Sequence, residues 1–420
     1  MGSKIKSVAA SEVLSQRGHP GIMATVRTDD GSTGSAMATA GLSFCEHEVK
    51  FVHDGGKRWG GMGVLKAVEN VNNVIAPKLI GMDVTKQRAI DELMIKLDGT
   101  QDKSRLGGNA TASVSAAVLR AAANSVGLHL YQYIGGPNAC ILPVPGAGAF
   151  SGSGRYGGGP SNTGDKPSHE FVCYGFQAFS EASYAGWECS EEFQRIIIKK
   201  FKLGSRVSGY YGIPPGTVDH DRELWECMVE AIENLGYKNR IGLQIDVAAG
   251  TYYDGKKGRF VGLFSREPKT KDDLIELYRE MAKSYSFMIL EDPLGENDFE
   301  GHAMLAKELG IEIVGDDLFT TNPKRLQQGI EVGAANAMLL KVNQIGTISE
   351  AFDAVQLAYR HGYGVMPCGS RGEGDALQDY SVGLGTGHQR GGATSDRLLQ
   401  IEAELDSSAK FLGKAGLKVK

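Results

Sequence analysis

The chain has 420 residues, 41% hydrophobic and 23% charged, an ordinary globular composition with length for a large core. Its net charge of −5, without a long basic run or interleaved aromatic and basic residues, argues against nucleic acid as a partner. No apolar stretch reaches the roughly 18 residues of a membrane span, and six scattered cysteines without CxxC pairs suit a reduced cytoplasmic protein better than a disulfide scaffold or zinc site.

The opening "MGSKIKSVAA" lacks the apolar core of a secretory signal, and Lys6 stands where a myristoylation motif wants Ser or Thr. "IKSVAASEVLS" and "IMATVRTDDGSTGSAMATA" read as strands, the second folded at Asp30-Gly31. In "GVLKAVENVNNVIAPKLIG", Val64, Leu65, Val68, Val71, Ile75 and Leu79 fall on one helical face. "DVTKQRAIDELMIKLDG" and "NATASVSAAVLRAAANSVG" continue the helical pattern. "LPVP" (142–145) then marks a boundary, dividing an α+β domain over 1–138 from a second domain over 139–420. The stretch 146–164 is rich in glycine, which predicts either a mobile lid or a linker.

After residue 240 a repeat emerges. Apolar strands end in a charge: "LQIDVAAG", "FMILEDPLG", "EIVGDDLF" and "AMLLKVNQIG". Helical patterns separate the later ones, and Glu291, Asp316 and Lys341 follow one another at 25 residues, about one βα unit. Buried parallel strands alternating with helices imply an open doubly wound sheet or a closed barrel. Lys341 is the residue that demands explanation, because a charged ammonium in an apolar run costs several kcal/mol unless paired or neutralised. If the strands form a barrel, their carboxyl ends converge on one mouth, and Asp246, Glu291 and Asp316 gather there with Lys341. Three carboxylates suit octahedral Mg²⁺. Asp292 and Asp317 are adjacent alternatives, although strand alternation points them to the other face.

At this point the sequence resembles the enolase family. "GVLKAVENVNNVIAPKLIGMDVTKQ", "LDGTQDKSRLGGNA", "LYQYIGG", "LPVP", "EDPL", "VGDDLFTTNPKR" and "KVNQIGT" look like enolase segments in enolase order, over nearly the whole chain. The resemblance implies an α/β protein: an N-terminal α+β capping domain and a C-terminal enolase-type β/α barrel whose first strands include an antiparallel turn. It implies a cytoplasmic homodimer or higher oligomer, Mg²⁺ as cofactor and a small anionic phospho- or phosphonocarboxylate as substrate. The metal ligands carry over to Asp246, Glu291 and Asp316 and the base to Lys341. Such sites use a lysine or histidine to take a proton alpha to a carboxylate while Mg²⁺ stabilises the ene-diolate.

The departures from the family pattern are equally specific. Ala40 stands at a metal-binding serine in "ATAGLSFCEHE", with Ser43 matching a neighbouring one. Arg155 replaces a loop histidine, and Tyr210 in "SGYYG" replaces the glutamate that helps expel hydroxyl. Glu170 in "SHEF" retains the preceding carboxylate, with His169 before it. "CGSRG" puts Gly369 and Ser370 at a phosphate-binding histidine and arginine, with Arg371 one residue later, and Arg390 aligns with a substrate-contacting lysine. The expected site is therefore Lys341, Glu170 and Tyr210 for catalysis, with Arg155, His169, Ser370, Arg371 and Arg390 for substrate. Guanidiniums bind carboxylate, phosphate or phosphonate bidentately. These changes predict a diverged specificity, with carboxyphosphonoenolpyruvate synthase as one precedent in phosphonate metabolism and 2-phosphoglycerate as a poor substrate. The alternatives are ordinary phosphopyruvate hydratase activity and a non-catalytic binding protein.

Overall fold

A computed structural model describes residues 3–15, 18–39, 45–152, 154–158, 166–204, 211–369, 372 and 376–419. The chain opens with an antiparallel meander of β1 (Ile5–Leu14), β2 (Pro20–Thr28) and β3 (Thr33–Thr39), turning through Asp29–Ser32 as the Asp-Gly pair predicts. Three helical stretches cover one face of it. The first runs over 65–79 with one π-wound turn at Asn70–Ile75; α1 (Gln87–Asp98) and α2 (Gly108–Ser125) follow. Ile22, Ala24 and Val26 of β2 alternate into a core with Val71, Ile75, Leu79, Ile90 and Val118. Gly34 lets β3 touch α2: a Cβ there would lie 2.2 Å from the Ala121 nitrogen. Leu65 departs from the predicted apolar face. It is 44% exposed, because it opens the helix while the buried stripe begins at Val64 and Ala67.

The second part is a curled sheet wrapped by helices. Its main strands are β4 (Val144–Ser151), β5 (Ser168–Cys173), β6 (Ile241–Asp246), β7 (Phe287–Glu291), β8 (Glu312–Gly315), β9 (Ala337–Leu340), β10 (Gly364–Pro367) and β11 (His388–Gly392), with the short Tyr211–Gly212 pairing beside the end of β4. They lie in the order β10-β9-β8-β7-β6-β5-β4-β11, and β10 and β11 approach each other so that the sheet curls toward closure. β4 and β6 each run antiparallel to β5, while β6 through β10 are mutually parallel and β11 runs parallel to β4. The parallel strands are joined by helices, including α3 (Lys271–Ser284), α4 (Phe299–Leu309), α5 (Pro323–Val332) and α6 (Ile348–Arg360). This is the barrel alternative, with both faces of the sheet buried.

The glycine-rich stretch starts as strand: residues 146–151 belong to β4, not to a loop. Small side chains suit it to the crowded barrel interior. A Cβ on Gly146 would come 1.9 Å from Glu170 Oε2. Residues 153 and 159–164 of the expected lid lie outside the described residues.

The two parts meet through buried polar contacts. Asp91 of α1 accepts hydrogen bonds from Ser115 Oγ (2.6 Å), the Ser349 amide (3.0 Å) and Ser349 Oγ (2.7 Å), and the Val49 amide donates to the Gln344 carbonyl at 3.0 Å. Lys103, also buried, pairs with Glu350 at 2.9 Å.

Candidate active site

The carboxyl ends of the parallel strands carry the charges that the repeat predicted. Asp246 and Glu291 are the last residues of β6 and β7 and sit opposite each other in the ladder. Asp316 and Lys341 directly follow β8 and β9. Strand alternation sends all four into the mouth, where each is at most 5% exposed.

Each carboxylate there is met by a cation of the protein. Lys341 Nζ donates to Asp316 Oδ2. Arg390, from β11, places one guanidinium nitrogen between two acids, donating to Asp246 Oδ2 and to both oxygens of Glu291 at 2.8 and 3.0 Å. Its other terminal nitrogen donates to Ser168 Oγ, and its Nε lies 3.6 Å from Glu170 Oε1. Glu170 Oε2 accepts from the Gly391 amide at 2.9 Å. Asp246 also pairs with Lys166, whose ammonium is pushed down to about 8, first by burial and then by Arg390 beside it. Burial pushes Glu291 up despite Arg390. Burial also opposes ionisation of Asp316, but Lys341, together with Lys166 and Gln344, outweighs it and its carboxyl is held below the usual value.

Surrounding residues fix this geometry. Gln344 Nε2 donates to Asp316 Oδ1 at 2.7 Å and reaches Glu48 Oε1 of the N-terminal part at 3.5 Å. Thr321 Oγ1 accepts from the Lys341 amide at 3.0 Å. Asp292 is held by backbone amides. It takes a left-handed φ of 44°, and its carboxylate accepts from the amides of Asp316 (3.0 Å), Asp317 (2.8 Å) and Leu318 (3.5 Å). That clamp sets the backbone on which Asp316 rides. Burial, with Asp317 and Asp316 adding to it, pushes Asp292 well up.

The structure thus brings together Asp246, Glu291, Asp316, Lys341, Glu170 and Arg390. It places two expected substrate residues elsewhere. His169 points to the helix side of β5, opposite to Glu170; its Nε2 accepts from Trp225 Nε1 at 3.0 Å and its ring stacks on Phe150 at 3.8 Å. Burial, reinforced by Arg155, keeps that imidazole neutral, far below its ordinary pKa. Arg155 is buried on the same side, 3.5 Å from Asp221 and packed over the Phe150 and Tyr156 rings. Period-two alternation explains His169, the strand neighbour of inward-facing Glu170; Arg155 lies in a turn beyond β4 and is held by its contacts with Asp221 and the two rings. Tyr210, Ser370, Arg371, Ala40 and Ser43 lie outside the described residues.

Sequence reasoning missed Lys166, Gln344 and Glu48, and gave Asp292 only a possible ligand role. Lys166 had one signal, a lysine and proline immediately before the buried strand "SHEF".

The residues present fit a divalent cation bound by hard oxygen donors. Oxygens of Glu291, Asp292 and Asp316 lie within 4.8 Å of one another. Asp246 Oδ1 is buried without a hydrogen-bond partner. A guanidinium nitrogen bridges Asp246 and Glu291, which marks where positive charge is stabilised. Because both Asp292 oxygens are engaged by amides, Asp246 is the better third ligand beside Glu291 and Asp316.

Fold and site define a capped β/α barrel with acids and a lysine converging at the carboxyl ends of its strands. Comparison with known proteins sharpens this. Residues 5–134 match the family model for the enolase N-terminal domain, and residues 139–420 match that for the enolase C-terminal TIM barrel domain. The chain is 43% identical over 423 residues to an enolase of Methanopyrus kandleri, covering 97% of each. It is 43% identical over 425 residues to an enolase of Thermococcus kodakarensis, covering 98% of this chain and 97% of that protein. An enolase of Pyrococcus furiosus is 43% identical over 431 residues, covering 99% and 98%. The chain belongs to the enolase family, and it is an enzyme of the enolase superfamily of lyases.

Proposed function

We propose that this chain is a magnesium-dependent phosphopyruvate hydratase, dehydrating 2-phosphoglycerate to phosphoenolpyruvate. The observation that carries the proposal is similarity to proteins named enolase at 43% identity over essentially full length. This weighs against the diverged specificity expected from the sequence, and nothing in the comparisons supports kinship with carboxyphosphonoenolpyruvate synthase. In this reading Asp246, Glu291 and Asp316 would hold Mg²⁺, which when bound offsets the charge that develops on the substrate carboxylate. Lys341 Nζ takes the alpha proton. Arg390 turns from the acids to the anionic groups of the substrate. Glu170, fixed by the Gly391 amide, lies beside Arg390 to handle the departing hydroxyl's proton. The barrel walls exclude water from the mouth. The cytoplasm and a homodimer remain the expected setting.

A second reading, turnover of another small phosphorylated or phosphonylated carboxylate, is favoured by Lys166 on Asp246 and by the burial of Arg155 against Asp221. The test is phosphoenolpyruvate formation from 2-phosphoglycerate at saturating Mg²⁺, beside an authentic enolase. Turnover within about tenfold of that control supports the hydratase, since loss of one positioned acid or base typically costs about 10²–10⁴-fold. A larger deficit, with deuterium uptake from D₂O into a different phosphonocarboxylate, supports the second reading.

A further inference from the structure

The mouth holds its cations in an unusual place. Asp246, Glu291 and Asp316 would bind the metal, yet each already contacts a protein cation: Lys166 on Asp246, Arg390 on Asp246 and Glu291, Lys341 on Asp316. Lys341 and Arg390 have roles in the proposed reaction. Lys166 does not correspond to any of the family positions considered above. It is built into the fold nonetheless: Tyr252, itself buried, donates its hydroxyl to the Lys166 carbonyl at 2.7 Å, and Ser168 two residues on pairs in register with Asp246.

Two physical consequences follow. An ammonium on Asp246 competes with a divalent cation for the same oxygens. Once displaced, that partly buried ammonium has lost its carboxylate partner and lies beside the Arg390 guanidinium, an unfavourable position for a cation. The anionic substrate is the group that can re-pair it.

Resting on the magnesium-enolase reading, we propose that Lys166 is a transferable counter-ion: it occupies Asp246 in the metal-free enzyme and passes to the substrate anion when the metal binds. Metal and substrate therefore load cooperatively, each raising the affinity of the other by the same factor, as linkage requires. Lys166 is a substrate-binding residue in the loaded site and a competitor of the metal in the empty one. A merely structural lysine would have neither effect.

The experiment is a calorimetric titration with Mg²⁺, alone and with saturating phosphonoacetate, a non-reactive probe carrying both a phosphonate and a carboxylate. In the wild-type protein phosphonoacetate should tighten Mg²⁺ binding by about 5- to 150-fold, the usual span of coupling between sites. Lys166→Met should bind Mg²⁺ alone more tightly than wild type, and its coupling to phosphonoacetate should shrink. Lys166→Arg should keep the wild-type pattern, and Lys166→Gln replaces the Met variant if that one fails to fold. Unchanged or weaker Mg²⁺ binding in the neutral variant overturns the counter-ion. Unchanged Mg²⁺ binding in Glu291→Gln overturns the metal site itself, a separate failure that takes the counter-ion with it.

Discussion

Lys341 illustrates how a buried charge is made tolerable. Its ammonium sits at a strand end against Asp316, and Gln344 takes the other Asp316 oxygen. Lys341→Ala should leave the fold intact and slow alpha-proton exchange by about 10²–10⁴-fold, the worth of a positioned base; exchange measured by NMR in D₂O at the wild-type rate would remove Lys341 from the reaction. Glu291→Ala should weaken Mg²⁺ binding by more than about 100-fold, since even the loss of an outer hydrogen-bonding partner costs a metal site about 10–100-fold; equal calorimetric affinities for variant and wild type would exclude Glu291 as a ligand. Away from the site, His302 is buried in α4, where its Nδ1 donates to the Asp298 carbonyl at 2.8 Å and burial pushes its pKa down to about 4. The unfolded chain binds this proton more readily. The stabilising contribution of neutral His302 is therefore complete above pH ~6.5 and falls away as the pH drops toward 4, by up to about 3 kcal/mol. Denaturant unfolding between pH 7 and 4.5 should show that decline, and a His302→Leu variant should show a shallower one.

At the scale of elements, the site depends on how the β7 and β8 ends are coupled. The ladder aligns Glu291 with Asp246 on one side and Val314 on the other. Beyond the ladder, Asp292 takes over by gathering the amides of residues 316–318. Its left-handed backbone is strained for a non-glycine residue and persists because three hydrogen bonds hold it. Asp292→Ala would orphan those buried amides, at about 1–3 kcal/mol each. It should lower both unfolding stability and Mg²⁺ affinity, the latter by about 10–100-fold. A variant as stable as wild type, or with full Mg²⁺ affinity, would show that Asp316 is positioned by other means. The same alternation that brings Glu170 inward sends His169 outward to Trp225. One strand thus serves the mouth with one face and the helix layer with the other.

At the scale of the whole molecule, the N-terminal part is more than a neighbour of the barrel. Glu48 reaches Gln344, and through it Asp316, so the cap takes part in shaping the mouth. Asp91 anchors that arrangement by accepting from residues on both sides of the interface. Removing it leaves buried donors on Ser115 and Ser349 without their acceptor. Asp91→Ala should cost about 3 kcal/mol of stability, with hydrogen exchange rising at the start of α6. Protection unchanged at Ser349 would mean that the interface rests on its apolar contacts alone. Among the described residues no helix is long and apolar enough to cross a membrane, in keeping with the hydropathy of the sequence.

The sequence by itself determined four of the parallel strands, β6 to β9, and their charged ends, because a buried parallel strand must be apolar and a charge is best borne where the strand ends; whether they close into a barrel it left open. The 25-residue spacing and the period-two and 3.6-residue patterns are local signals, readable without any contact map. Only the tertiary structure decided what those charges meet. Lys166 lies 80 residues from Asp246 in sequence and belongs to no motif, yet chain folding sets it on that carboxylate. Asp292, adjacent in sequence to Glu291, is spent on backbone amides of the next strand end, a role that depends on ladder register. His169 lay in site-like sequence but faces the helices because strand register turns it opposite to Glu170, and Arg155, in a turn, is drawn to Asp221 and the Phe150 ring by packing, not by proximity along the chain. Composition and periodicity report what each segment needs to bury; which cation neutralises which acid depends on distances that only the curled sheet creates.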